Sequence, residues 1–212
     1  MSTVTINEIF YSIQGEGRWM GLPMIFIRTT GCNLRCKYCD TTYAYEQGEE
    51  KTIPDILEKI SPYHCTNICV TGGEPLLQKN IRSLLKTLSE HDYNIYLETN
   101  GSKSITPYLD IDRLMISMDI KCPSSTMHEQ MDTSNLNQLR SVDQLKFVIS
   151  SRKDYTYSKK ILAQYTQQCP IYFQPVYGFS IKMLASWIIN DHLPVHLGIQ
   201  LHKYIWGENT KK

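Results

Sequence analysis

Met24-Ile25-Phe26-Ile27-Arg28-Thr29-Thr30-Gly31-Cys32-Asn33-Leu34-Arg35-Cys36-Lys37-Tyr38-Cys39-Asp40-Thr41 joins a strand-sized apolar run to a loop crowded with thiols. Branched and aromatic side chains pack well on a pleated surface, so residues 24–28 read as a strand. The same join recurs along the chain. Similar runs lie at 68–71, 95–98, 114–118, 145–149, 171–173 and 197–201, and residues 6–11 form an eighth candidate. Between them, apolar residues take helical spacing. Ile53, Ile56, Leu57 and Ile60 form one such stripe, and Leu77, Ile81, Leu84, Leu85 and Leu88 form another. Tyr157, Ile161 and Tyr165 form a third, and Ile181, Leu184 and Ile188 a fourth. The alternation predicts an α/β fold: a mostly parallel sheet, strands apolar on both faces, helices outside.

Parallel α/β sheets and barrels present their chemistry at the carboxyl ends of their strands. Here the polar and small residues fall at those ends. Thr29 to Asp40 follows the first run, Gly72-Gly73-Glu74-Pro75 the second, and Glu98-Thr99-Asn100-Gly101 closes the third. Asp119 and Lys121 follow the fourth, Gln174 follows the sixth, and His202 the last. Six segments thus converge on one expected rim.

Composition narrows the class. In 212 residues, 22 Lys and Arg balance 21 Asp and Glu for a net charge of +1, which argues against a nucleic-acid wrapper. A hydrophobic fraction of 42% is globular. No run approaches the ~18 apolar residues of a membrane helix. Residues 1–7 carry no basic region ahead of an apolar core, so no secretion signal is read there and a cytoplasmic location is expected. Thiols stay reduced in that compartment, and three of the seven cysteines crowd into positions 32–39. That crowding reads as metal binding. Cys65, Cys69, Cys122 and Cys169 read as small apolar core residues.

Cys32, Cys36 and Cys39 form C-x3-C-x2-C. A tetrahedral zinc site takes four ligands, often in two pairs, and no second pair completes this one. Three thiolates suit an iron–sulfur cluster with one iron left open for chemistry. With the aromatic Tyr38 before the last cysteine, the motif resembles the signature of the radical S-adenosylmethionine (SAM) superfamily. The resemblance implies an abbreviated, partial (β/α) TIM-like barrel forming a single domain over residues 1–212. It also implies a [4Fe-4S] cluster on Cys32, Cys36 and Cys39, whose open iron chelates SAM. SAM contacts are implied for Tyr38, Cys39, Asp40, Gly73, Glu74, Ser117, Asp119, Lys121, Gln174, Pro175, Val176 and Tyr177.

Glu8-Ile9-Phe10-Tyr11-Ser12-Ile13-Gln14-Gly15-Glu16-Gly17, then Gly21-Leu22-Pro23 and the cysteine loop, resembles the 7-carboxy-7-deazaguanine synthase family. That family converts 6-carboxytetrahydropterin to 7-carboxy-7-deazaguanine with loss of ammonia. The implied substrate residues are Ile13, Gln14, Gly15, Arg28, Thr71, Glu98 and His202, with Glu16 beside them. Thr41 is implied as the Mg²⁺ ligand. A homodimer and an external flavodoxin- or ferredoxin-like one-electron donor are implied as partners.

Taken singly, several of these residues also admit plain structural readings. Gly72-Gly73-Glu74-Pro75 suits a strand-to-helix turn. Arg28 suits a rim position, Thr41 a helix cap, Ser117, Asp119 and Lys121 a solvated strand end, and Gln174 a glutamine satisfied by backbone. His202 suits packing under the C-terminus. Two other functions share parts of the pattern: a glycyl-radical activating enzyme and a zinc-stabilised binding module. Some relatives end in a proline that reaches the substrate, whereas this chain ends Gly207-Glu208-Asn209-Thr210-Lys211-Lys212.

Overall fold

The computed structural model describes residues 2–166 and 168–207, so the tail 208–212 lies outside the described residues. The strands are β1 (Thr3–Ile13), β2 (Pro23–Thr29), β3 (Glu49–Thr52), β4 (Asn67–Gly72), β5 (Asn94–Thr99), β6 (Leu114–Lys121), β7 (Gln144–Ile149), β8 (Ile171–Pro175) and β9 (His196–Leu197). The α-helices are α1 (Ile53–Ile60), α2 (Ile81–Glu90), α3 (Arg152–Gln164), α4 (Ile181–Asn190) and α5 (Leu201–Trp206). The strands form one sheet in the order β3-β1-β2-β4-β5-β6-β7-β8-β9. β1 runs antiparallel to β2 and β3, and every pairing from β2 onward is parallel.

Period-two alternation gives the parallel strands two different faces. Ile25, Ile27, Ile68, Val70, Ile95, Leu97, Ile116, Leu145, Phe147 and Phe173 belong to the main core, together with the apolar stripes of α1 to α4. Met24, Phe26, Cys69, Tyr96 and Met115 form a small second cluster. Those residues alternate with the core-facing set, and continuing their register toward the strand ends reaches Arg28, Thr71, Glu98, Asp119, Lys146 and Gln174. The expectation of strands apolar on both faces is therefore corrected. Helices cover one face, and the other turns polar toward the carboxyl ends.

Other departures have local causes. β3 is the charged run Glu49-Glu50-Lys51-Thr52, which periodicity passes over and pairing with β1 makes an edge strand. The strand read at 197–201 shrinks to His196–Leu197, and Leu201 already opens α5. Leu77 falls in a 3-10 turn rather than in α2, and Tyr165 lies just past the end of α3. Among the described residues, no helix is long and apolar enough to cross a membrane.

The segments that follow β1 and β9, from opposite halves of the sheet, reach the same site. The Leu201 amide donates to the Gly15 carbonyl at 2.9 Å, and Gln200 Nε2 donates to Glu16 Oε1 at 2.9 Å. A Cβ on Gly15 would collide with the His202 ring, so this closure requires glycine. The result is an open, partial barrel.

Asp143, fully buried ahead of β7, accepts from the Ile116 amide at 2.8 Å and from the Arg140 amide at 2.7 Å, and it also pairs with the Arg140 guanidinium. Asp143→Ala should destabilise the fold by about 2–3 kcal/mol, measured by denaturant unfolding, since buried donors lose a charged partner.

Candidate active site

A cavity of about 480 Å³ opens at the carboxyl ends of the parallel strands. Its position follows from the alternation above, which leaves polar side chains on the face without helices. The cysteine loop forms one wall, and its seat is built from backbone. The Glu74 amide donates to the Gly31 carbonyl at 2.7 Å, and the Gly73 amide donates to the Thr29 carbonyl at 3.3 Å. A Cβ on Gly73 would strike the Gly31 carbonyl, so the two loops meet only because residue 73 is glycine. Further along the loop, the Lys37 amide donates to the Ser125 carbonyl and the Cys39 amide to the Cys36 carbonyl, each at 3.1 Å.

Cys32, Cys36 and Cys39 are half-buried, unpaired and line the cavity. Burial pushes the Cys32 and Cys36 thiols up, and nearby Lys121 offsets part of the effect at Cys36. The Cys32 sulfur accepts from the Leu34 amide at 3.4 Å and from Asn100 Nδ2 at 3.7 Å. Burial pushes the Tyr45 phenol up, and neighbouring Cys39 adds to the effect. Among the described residues, no three His, Cys, Asp or Glu side chains converge at single-ion distance. The thiols stand apart along one wall, and the Cys32 sulfur has its own hydrogen-bond donors. That arrangement fits a cubane, which takes ligands at separate corners, and metal binding would deprotonate them.

Arg28 enters the cavity from β2. Its Nε donates to Glu8 Oε1 at 2.8 Å, and its guanidinium lies 5.6 Å from the Phe10 ring centroid and 5.7 Å from that of Tyr43. The Tyr43 hydroxyl donates to the same Glu8 oxygen, and burial pushes the phenol up to about 12. Deeper in, Thr71 Oγ1 donates to Glu98 Oε2 at 2.7 Å, and Gln14 Nε2 lies 3.5 Å from Glu98 Oε1. Burial raises the Glu98 carboxyl despite nearby Lys146. Lys146 pairs with Glu16 and, at 3.1 Å, with Asp119, which also pairs with Lys121 at 2.6 Å. Burial disfavours the Lys146 charge, but Asp119, Glu16 and Glu98 outweigh it and hold the ammonium above its usual range. Burial also works against the Asp119 charge, yet the two lysines hold that carboxyl below its usual range.

Most of the expected residues meet at this cavity: Ile13, Gln14, Gly15, Arg28, Cys32, Cys36, Tyr38, Cys39, Asp40, Thr41, Thr71, Gly73, Glu98, Asp119, Lys121, Gln174, Pro175, Val176 and His202. Glu74, Ser117 and Tyr177 do not line it. Glu74 is fully buried behind the wall, where it accepts from the Leu76 amide, Thr99 Oγ1 and the Asn100 amide; burial pushes its carboxyl up to about 6. Ser117 is buried under the wall and accepts from Gln144 Nε2 at 2.8 Å. Tyr177 is exposed, with Lys203 Nζ 5.3 Å from its ring centroid.

The placements bear on the plain structural readings. Thr41 stands ahead of a 3-10 turn but makes no side-chain cap bond; its hydroxyl donates to Asp40 Oδ1 at 3.0 Å. Gln174 is 2% exposed, and neither amide atom has a partner among the described residues. A buried amide so placed at a cavity calls for a ligand. Cys69, Cys122 and Cys169 are buried, while Cys65 is half-buried just ahead of β4.

Sequence reading missed Lys146, Tyr45, Gln200 and Lys203 at the cavity, and placed Asn100 at the rim without giving it a role. A lone lysine inside the apolar run Leu145-Lys146-Phe147 was the available signal, because a parallel strand rarely buries a charge without partners. Gln200 and Lys203 carried no comparable signal.

The profile of the Radical SAM superfamily matches residues 26–141, more than half of the chain. A 7-carboxy-7-deazaguanine synthase from Thermoplasma acidophilum is 37% identical over 203 residues, covering 96% of this chain and 97% of the relative. One from Chlorobaculum tepidum is 39% identical over 219 residues, covering 98% and 96%. A crystal structure of QueE from Escherichia coli superposes with a TM-score of 0.80 over 94% of this chain and 95% of that one; at 22% identity it speaks to the fold. With the three thiols on the wall of a partial barrel and relatives of this identity along almost its whole length, the chain belongs to the radical SAM superfamily and, within it, to the 7-carboxy-7-deazaguanine synthase family.

Proposed function

We propose that this chain is a 7-carboxy-7-deazaguanine synthase, a lyase that converts 6-carboxy-5,6,7,8-tetrahydropterin to 7-carboxy-7-deazaguanine with release of ammonia. One observation carries the reading: a single cavity gathers three separated thiols, a cation at Arg28 and a buried polar floor at Thr71, Glu98 and Gln14. The bound [4Fe-4S] cluster and SAM supply the hydrogen abstraction that opens the reaction. The chain's own residues bind, orient and shield. Arg28, with Nε held by Glu8, offers a guanidinium to the substrate carboxylate. Thr71, Glu98 and Gln14 offer donors and acceptors to the ring edge of a planar heterocycle. Thr41, beside Asp40, would hold Mg²⁺, a hard cation that takes oxygen ligands and keeps several waters. Asp119, Lys121 and Gln174 line the region assigned to SAM.

The same reading takes the chain as a single radical SAM domain, cytoplasmic and homodimeric, served by an external flavodoxin- or ferredoxin-like one-electron donor. The glycyl-radical activase and the zinc module have no comparable support, because the relatives matched over almost the whole chain carry the synthase name.

The deciding experiment is anaerobic iron–sulfur reconstitution followed by assay with the pterin, with and without Mg²⁺. Release of ammonia and 5′-deoxyadenosine is expected; a colourless zinc protein without turnover would overturn the reading. Cys36→Ala should abolish SAM cleavage, read by chromatography of 5′-deoxyadenosine. Thr41→Ala should lose product formation more than uncoupled SAM cleavage, and loss of the cluster instead would refute the Mg²⁺ assignment. Arg28→Ala should raise KM for the carboxylated substrate by about 10- to 100-fold, the ~1.5–3 kcal/mol of a charged hydrogen bond.

A further inference from the structure

The GGE segment and the end of β5 do more than line the cavity. Asn100 is 6% exposed, and each of its polar groups is committed. Its backbone amide donates to Glu74 Oε2 at 2.6 Å. Its Oδ1 accepts from the Ser102 amide at 2.9 Å. Of its two Nδ2 hydrogens, one serves Asn33 Oδ1 at 3.2 Å and the other the Cys32 sulfur at 3.7 Å. Asn33 is tied back in turn, its Nδ2 donating to Ser102 Oγ at 2.8 Å. Glu74 is itself locked by Thr99 Oγ1 and the Leu76 amide. The side chain therefore has one orientation, fixed by the Ser102 amide and Asn33 while the buried Glu74 carboxylate holds its backbone from behind, and in that orientation an amide hydrogen points at a thiol of the cluster motif.

We propose that Asn100 is a positioning residue for the iron–sulfur cluster: its Nδ2–H···Sγ bond to Cys32 raises the reduction potential of the cluster. The inference rests on the proposed cluster ligation by Cys32, Cys36 and Cys39. Its physical basis is general. One-electron reduction adds negative charge to the cluster and its thiolates, and an N–H dipole aimed at a ligating sulfur stabilises the more negative state. Because the amide is already oriented in the folded protein, the dipole need not reorganise when the electron arrives from the external donor.

Two variants separate this role from packing. Asn100→Asp keeps the size, the backbone bond to Glu74 and the acceptor for Ser102, but removes the N–H donor. Asn100→Ala removes the donor without adding charge. The reconstituted proteins are titrated anaerobically with a one-electron reductant against redox dyes, and iron and acid-labile sulfide are counted in parallel. A midpoint potential more negative than wild type in both variants, at full iron content, is the expected result. Unchanged potentials in iron-replete variants would overturn the proposal.

A measurement that keeps Asn100 intact guards against variants of it that fail to fold or to take up iron. Protein labelled with ¹⁵N only in the asparagine side-chain amides, carrying Asn33→Ala to remove the other nearby amide, and reduced should show a ¹⁵N hyperfine coupling to the cluster in pulsed electron paramagnetic resonance. Absence of that coupling would overturn the proposal. Wild type that takes up no iron–sulfur cluster at all would instead defeat the ligation reading beneath it, so the two failures are told apart.

Discussion

Two loops meet backbone to backbone at the centre of this protein, and much of the site depends on that contact. The turn after β2 and the turn after β4 approach closely enough for the Glu74 amide to reach the Gly31 carbonyl and the Gly73 amide to reach that of Thr29. A side chain on residue 73 would prevent it, hence glycine there, while Gly31 supplies the positive φ of 93° that the turn adopts. Anchoring the cysteine loop by its backbone leaves its thiol side chains uncommitted to structure. The same contact places the Glu74 carboxylate under the end of β5, where it holds Asn100. The GGE segment thus acts here from behind the wall. Its glycines seat one loop, and its carboxylate orients the next.

The second constraint is the division of labour between the sheet's faces. On one side, branched aliphatic residues meet four helices and supply the burial that holds the fold. On the other, the alternate positions carry Arg28, Thr71, Glu98, Asp119, Lys146 and Gln174. Burying so many charges is costly unless each is matched. The match is close: Lys146 stands between Glu16 and Asp119, Asp119 also meets Lys121, and Arg28 meets Glu8. A polar wall whose partners are already in place can receive a polar heterocycle with little rearrangement. Gln174 is the exception, since its buried amide is left for whatever enters.

The third element comes from the far end of the chain. α5 returns to the segment after β1 through Leu201, Gln200 and His202, and Lys203 pairs with Asp40 at 3.0 Å beside the last cysteine. Residues almost two hundred positions apart in sequence thereby share one cavity. This contact brings the segments after β1 and β9 around a common space.

The α/β class, most strands, the stripes of α1 and α2 and the cysteine motif were all legible from the residues, because local spacing encodes local structure and three clustered thiols have few other uses. The convergence of five strand ends on one rim was legible for the same reason, whereas His202 reaches it from α5 rather than from a strand end. The charged edge strand β3 was not, since only pairing with β1 makes Glu49-Glu50-Lys51-Thr52 extended. Nor was the retreat of Glu74 and Ser117 behind the wall: a motif states which residues are present, whereas the side a carboxylate faces depends on which donors the fold brings near it. Lys146, Gln200 and Lys203 entered the site only through contacts that span most of the chain. Tertiary structure decided these points because partners distant in sequence determine where a buried charge or amide can be satisfied.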